Sequence, residues 1–237
     1  MFRFLGTIFG ALLKIIYDLL HTIGSEPESI SYFSLAIILA TIVVKVIILP
    51  LNLKSARAMK KTQELQPQAE EIRIKFKHDP QQMNAKIAKL YKENNASLTG
   101  GCLPMLLTIP IIFGFFAVIQ NPTQYAFTEE AFATMQKNFL WIKDLTQPDP
   151  YWYALPLIVG ILTYLQTLTT PKNPTVEGNN SMQVMNLMMP LMIFWFSLKY
   201  AGGLSLYWAT STLFTIIQSI ISNKEIFVKN VNNLLNR

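Results

Sequence analysis

Lys45 sits in the middle of an apolar run, Tyr32 to Leu53, that reads YFSLAIILATIVVKVIILPLNL. A Lys near the centre of a bilayer costs roughly 2.5 to 3.5 kcal/mol on insertion scales. A chain that keeps such a residue usually compensates it with water or a partner. Snorkelling along the aliphatic stem is the competing account. Lys45 stands about eight residues from the end of the run, roughly 12 Å of helix at 1.5 Å per residue, which is far for a full snorkel. Other apolar runs carry neutral polar groups. Thr41 lies one helical turn before Lys45 on the same face, and Gln166, Tyr207, Trp208, Thr212 and Gln218 follow later. Singly, each reads as ordinary interhelical hydrogen bonding, worth about 0.6 kcal/mol, and Tyr207 and Trp208 equally suit an aromatic belt. Together they describe one hydrated interior groove around Lys45. Such a set supports electrostatic attraction and solvation, with no bond broken.

Bond-making chemistry has no candidates. The chain contains no GxSxG, HExxH, P-loop or GxGxxG pattern, and its later apolar runs hold no Asp or Glu. An enzyme needs an activated nucleophile or a tuned acid–base pair, so none is expected. His21 and His78 are far apart without ligand spacing, and Cys102 is the single cysteine. Neither a metal site, a cofactor nor an internal disulfide is expected.

The elements that must position these groups are membrane helices. Of 237 residues, 51% are hydrophobic and 14% charged, well under the roughly 25% charged residues of soluble domains. The expected fold is an all-α integral membrane protein with a core bundle of five spans. These fall at about 31–53, 100–119, 151–170, 183–199 and 202–222, each near the ~20 residues a bilayer requires. The fourth is short, which suits a thinned membrane. Three parts follow: residues 1–29, a core of 30–223, and a tail of 224–237.

Charge sets the orientation. Residues 53–98 hold ten basic and five acidic residues, a net of +5, whereas 120–150 hold only Lys137 and Lys143 against four acids. Positive loops stay in the cytoplasm, so the N-terminus is expected outside and the C-terminus inside. The segment from Met1 to Ile23 is open to three readings: signal peptide, sixth span or interfacial helix. It lacks a clean small-residue cleavage site. Phe4, Ile8, Ala11, Leu12, Ile15 and Leu19 recur at helical spacing beside Arg3, Lys14, Asp18 and His21, which favours an amphipathic helix on the outer face.

The basic stretch 54–98 is rich in helix formers and predicts a cytoplasmic helical hairpin. A kink or break is expected at Pro67. Asp79 suits an N-cap and Pro80 the first helical position. Met83, Ile87, Leu90 and Tyr91 share one face, and Asn94 and Asn95 suit a terminating turn. Its basic surface, Lys60, Lys61, Arg73, Lys86 and Lys89, has two readings: anionic lipid and topology, or an anionic partner such as ribosomal RNA. Sequence alone favours the first, and nothing points to DNA.

Prolines punctuate the spans at Pro50, Pro104, Pro110, Pro156 and Pro190, and neighbours or water must satisfy the freed backbone groups. This suggests a deformable cavity rather than a tight ion site. Met182, Met185, Met188, Met189 and Met192 form either an adaptable face for varied apolar partners or plain core filling.

Several ordered blocks resemble the YidC/Oxa/Alb family of membrane protein insertases over about 30–223. They are Val43–Leu51 (VVKVIILPL), Leu65-Gln66-Pro67, Leu90-Tyr91-Lys92, and Gly100–Pro104 with Pro110. Met189-Pro190, Gly203–Trp208 (GLSLYW) and Gln218 complete them. The resemblance implies five core spans, a cytoplasmic hairpin and an outer amphipathic helix. It also implies a groove open to cytoplasm and lipid, in a bacterial plasma membrane. The implied clients are nascent membrane proteins, handled alone or beside the Sec translocon. Lys45 falls where the family usually has Arg, and Thr41, Gln166 and Trp208 fall on groove and client positions. Departures are Ala201 for a Pro, Thr212 for an Asn, and Ser97-Leu98 for Asn-Pro. Lys for Arg keeps charge but loses the planar fork. No large outer domain, long basic tail or N-terminal lipid-bearing cysteine is seen, which points to the Gram-positive type without lipid anchoring. Two other classes remain as alternatives: a membrane assembly scaffold without insertase activity, and a small transporter, which would want inverted repeats and paired ionisable groups.

Overall fold

The computed structural model describes residues 2–96, 103–169 and 181–222, with side chains from 3–96, 108–169 and 187–222. Gly100 to Cys102, Ser97-Leu98 and the C-terminal tail lie outside the described residues, as do the side chains of Met182 and Met185. The described chain is helical, with two isolated bridges in its loops.

Helix α1 (Phe2–Ile23) is followed by α2 (Tyr32–Glu64). Ser31 caps α2, its hydroxyl accepting from Ser34 N–H at 3.2 Å, which satisfies one of the orphan donors at a helix start. The Tyr32 N–H donates to the Glu26 carboxylate, a second cap. Helix α2 runs through Pro50 and stops only at Glu64. The first apolar span and the start of the basic stretch are therefore one 33-residue rod, about 50 Å long at 1.5 Å per residue.

The break falls at Leu65, two residues before the expected Pro67. Proline is tolerated in a first turn, where its missing N–H has no partner to lose, so Pro67 lies just inside α3 (Gln66–Lys75) and the chain bends ahead of it. Helix α4 (Pro80–Glu93) starts as its sequence dictates: the Asp79 carboxylate accepts from Gln82 N–H at 2.9 Å and Pro80 takes the first turn. Asn95 adopts φ 48°, the left-handed conformation that Asn tolerates, just past the helix end. Leu65, Ala69 and Tyr91 bury a small core of their own between α3 and α4, with Ile87 and Leu90 packed on it.

The bundle proper comprises α1, α2, α5 (Leu103–Gln120), α8 (Leu155–Thr169), α9 (Ser181–Lys199) and α10 (Gly202–Ser222); short α6 (Pro122–Tyr125) and α7 (Glu129–Thr134) lie in the loop after α5. Helix α10 packs on α2 and α8, and α9 packs on α8. Three helical stretches, Arg3–Ile23, Tyr32–Glu64 and Gly202–Ser222, are long and apolar enough to cross a membrane; Thr108–Gln120, Leu155–Thr169 and Leu187–Lys199 are shorter apolar helices. The last helix matches its expected bounds. Helix α8 begins at Leu155 rather than 151 because Asp149 gathers the turn before it. Its carboxylate accepts from Tyr151 N–H at 2.9 Å, Leu155 N–H at 3.0 Å and the Trp141 indole N–H at 3.3 and 3.1 Å.

One end of the bundle is closed by the loop 121–154. Gly202 N–H donates to Gln147 carbonyl at 2.7 Å and Gly203 N–H to Leu145 carbonyl at 2.8 Å, so the loop satisfies the first donors of α10. Leu145 and Ile142 are fully buried beneath it. The approach is close: a Cβ on Gly203 would meet Leu145 carbonyl, Ile119 and Ile37 at 3.3 Å, and one on Gly202 would meet Gln147 carbonyl at 3.3 Å.

Helix α1 lies across that same end. Gly6 sits under the Tyr125 ring, Gly10 against the Tyr125 carbonyl, Tyr17 against Phe127 at 5.1 Å and His21 against Tyr32 at 4.9 Å. Both halves of α1 thus touch the loop end. Its three stripes differ: Phe9, Leu13 and Ile16 are buried in the core, Phe4, Ile8, Ile15 and Leu19 are exposed, and Lys14, Asp18 and His21 form a polar edge.

The Gly10 contact is with backbone, which cannot step aside. Gly10→Ala is expected to cost about 1–3 kcal/mol by overpacking and to lower the thermal midpoint by roughly 2–12 °C. Gly24→Ala, where a Cβ meets nothing within 4 Å, is the control and should leave it unchanged. Thermal unfolding in detergent with and without each change checks both.

Candidate functional site: the Lys45 cavity

Helix α2 carries Lys45 to its interface with α10, where the ammonium Nζ donates to Thr215 Oγ1 at 2.9 Å. Thr215 donates its own hydroxyl hydrogen to Ser211 carbonyl one turn back, at 2.9 Å. Beside this pair lies a cavity of about 10 Å³ lined by Thr41, Lys45, Thr108, Phe115 and Tyr207, room for about one water molecule. Val44, Ile48 and Ile111 complete its wall. The site is a half-buried cation with hydroxyl and aromatic walls.

Each wall residue is held by its own element. Thr41 is 1% exposed and its hydroxyl donates to Ile37 carbonyl at 2.7 Å, leaving oxygen lone pairs as its remaining capacity. Tyr207, 2% exposed, stacks on Phe115 with ring centroids 4.4 Å apart, and Phe115 in turn meets Phe9 of α1 at 4.9 Å. The three rings link α1, α5 and α10 on the loop side of Lys45.

Of the residues singled out in the sequence, Lys45, Thr41 and Tyr207 come together. Trp208 is half-buried and packs on the main core. Thr212 is 3% exposed on α10, outside the cavity lining. Gln166 is half-buried on α8, outside the cavity lining. Gln218 is half-buried, and its Oε1 is buried with no hydrogen-bond partner among the described residues. Thr108 and Thr215 were missed. The signal for Thr215 was present: Tyr207, Ser211, Thr215 and Gln218 fall at helical spacing, one polar stripe on α10.

The expected basic surface on residues 54–98 divides. Lys61, Lys86 and Lys89 are exposed, while Lys60 and Arg73 are half-buried. Arg73 pairs with Glu70 at 3.1 Å, Lys89 with Glu93 at 3.7 Å, and Lys86 lies over the Phe76 ring at 5.1 Å. On α9, Met188, Met189 and Met192 are at least half exposed, beside Leu187, Leu191 and Trp195. These methionines face outward rather than fill the core.

Residues 27–230 match the family model described as 60Kd inner membrane protein. The chain belongs to this family. Its curated relatives include the membrane protein insertase YidC of Fusobacterium nucleatum subsp. nucleatum, 34% identical over 218 residues, 92% of this chain and 98% of the relative. The YidC insertase of Caldanaerobacter subterraneus subsp. tengcongensis is 33% identical over 91% of this chain and 92% of its own length. Among solved structures, an active YidC insertase with its first transmembrane domain resolved aligns with a TM-score of 0.62 at 26% identity, covering 89% of this chain and 45% of that one. The resemblance read from the ordered sequence blocks and the all-helical fold agree with this membership. A YidC-family insertase is an integral membrane protein, as the apolar helices require.

The unpaired Gln218 oxygen is a local liability, since a buried acceptor without a donor costs about 1–3 kcal/mol. Gln218→Leu, of similar volume, is expected to hold or raise the thermal midpoint, whereas Thr41→Val should cost about 1 kcal/mol of stability through loss of the Ile37 bond and lower the midpoint by roughly 2–4 °C. Thermal melts of the purified protein check the pair.

Proposed function

We propose that this chain inserts and folds hydrophobic segments of newly made membrane proteins, with Lys45 as an electrostatic lure. The observation that carries the reading is the ammonium held at the α2–α10 interface next to a small cavity that Thr41, Thr108 and Tyr207 help line, with no carboxylate in the later apolar spans. The acidic or polar outer segment of a client is drawn to Lys45 and held part-way across. Hydration and the ammonium reduce the cost of taking its polar groups out of water. The client's apolar helix then passes along α8 and α10 into lipid, and no covalent step occurs.

The orientation in this reading is the one the loop charges imply. Five spans with the N-terminus outside and the C-terminus in the cytoplasm put loop 121–154 and α1 on the outer face of a bacterial plasma membrane. The sealed loop end is then the outer one, and Lys45 is reached from the cytoplasm and the lipid. Helix α1 lies in the outer interface, its exposed Phe4, Ile8, Ile15 and Leu19 in the acyl boundary. The exposed Met188, Met189 and Met192 give clients an adaptable apolar surface. The hairpin α3–α4 is cytoplasmic, with Lys61, Lys86 and Lys89 available to anionic lipid. Ribosomal RNA is a second anionic partner for that surface, and the Sec translocon a companion in insertion.

The test is rescue. The chain is expressed in bacteria depleted of their own insertase, and integration of a short Sec-independent single-span client with an acidic outer tail is followed by protease protection. Wild type and Lys45→Arg are expected to restore integration. Lys45→Ala should reduce it several-fold and Lys45→Glu more. Equal rescue by all four forms would falsify the lure. No rescue by a stable, correctly oriented protein would favour a scaffold without insertase activity.

A further inference from the structure

The proposed lure has a geometric requirement that the lysine alone does not meet. A lysine ammonium is a point charge on a flexible four-carbon stem, and Lys45 is followed on α2 by exposed Val46 and Ile47. Its hydrogen-bond partner among the described residues is Thr215. The Thr215 hydroxyl hydrogen is committed to Ser211 carbonyl one turn back, a bond that a serine in its place could also make. The oxygen is left with lone pairs only, an acceptor fixed in place on α10 and matched to a cation. Of three donors on the ammonium, Thr215 occupies one and two remain beside the cavity.

Building on the lure reading, we propose that Thr215 is a positioning residue. It pins the Lys45 ammonium between α2 and α10, so that its two remaining donors meet a client carboxylate at one place. It thereby makes the insertase prefer clients with an acidic outer segment. The client carboxylate joins the ammonium at the free donors, and Thr215 stays bonded throughout.

Two measurements test this, and the first is independent of insertion. The reconstituted protein is treated with a water-soluble amine-reactive ester, and acylation of Lys45 is timed by peptide mass spectrometry. Thr215→Val, nearly isosteric, should release the amine and speed its acylation by about tenfold, the factor that one hydrogen bond to a charged group implies. Thr215→Ser should react like wild type. Equal rates in all three would overturn the proposal, whatever Lys45 does for clients. The second measurement is a double-mutant cycle on insertion. Thr215→Val is expected to lose insertion of an acidic-tailed client about as much as Lys45→Ala. It should cost nothing further in the Lys45→Ala background, leave a neutral-tailed client unaffected, and be reversed by Thr215→Ser. A loss that is the same for both clients, or that adds to Lys45→Ala, would assign Thr215 to packing and overturn the positioning role. Indifference of the acidic-tailed client to Lys45→Ala would count against the lure itself, and the acylation rates would still decide where Thr215 holds the amine.

Discussion

An ammonium inside an apolar bundle is the constraint around which this protein is arranged. Moving a charge from water into hydrocarbon is costly unless it gains partners, and the spans bring no carboxylate to Lys45. A buried ion pair would neutralise the charge, but it would also leave nothing for an incoming anion. A hydroxyl acceptor compromises between these: Thr215 gives the ammonium one bond while the charge itself stays uncancelled. The adjoining cavity, about 10 Å³, has room for about one water molecule. For the proposed lure, this incomplete compensation is what leaves the charge available while the bundle stays folded.

Closure of the loop end follows from the same constraint. A cation with a polar cavity is a leak if both ends of the bundle are open. Here the first N–H groups of α10 are bonded to the Leu145 and Gln147 carbonyls, and the stack Phe9–Phe115–Tyr207 lies between that seal and Lys45. Glycines make the seal possible, since Gly202 and Gly203 allow the loop backbone to reach the helix start. Helix α1 then covers the rings from outside the bundle, its Phe9 being the first of the stack. The same helix leaves an apolar stripe, Phe4, Ile8, Ile15 and Leu19, exposed on a face it does not use against the bundle.

Much of this was legible in the residues because local physics decided it. Asp79 and Pro80 start α4 as an N-cap and first-turn proline must, and the bounds of α10 follow its apolar run. The apolar stripe read from Met1 to Ile23, with Phe4, Ile8, Ile15 and Leu19, is the exposed one, and the buried stripe of Phe9, Leu13 and Ile16 was not separated from it. Other features depended on packing that no local pattern encodes. The rod of α2 passes Pro50 and ends at Leu65, because a proline can be absorbed within a helix or its first turn and does not itself fix where the chain bends. The start of α8 is set by Asp149, whose bonds to Trp141 and Leu155 come from either side of a turn.

The Lys45 site shows the same division within one set of residues. Lys45 and Thr41 were readable as a pair since they lie one turn apart on a single helix. Their partner on α10 was not, because choosing among Thr210, Thr212 and Thr215 requires the rotation of α10 about its own axis. Tyr207 fixes that rotation by stacking on Phe115. With Tyr207 turned inward, Ser211 and Thr215 follow at helical spacing and Thr212 falls to one side. The aromatic stack thus both seals the cavity and sets which hydroxyl meets the lysine. A substitution at Phe115 would act on the charge at a distance, by letting α10 turn and presenting a different residue to Lys45.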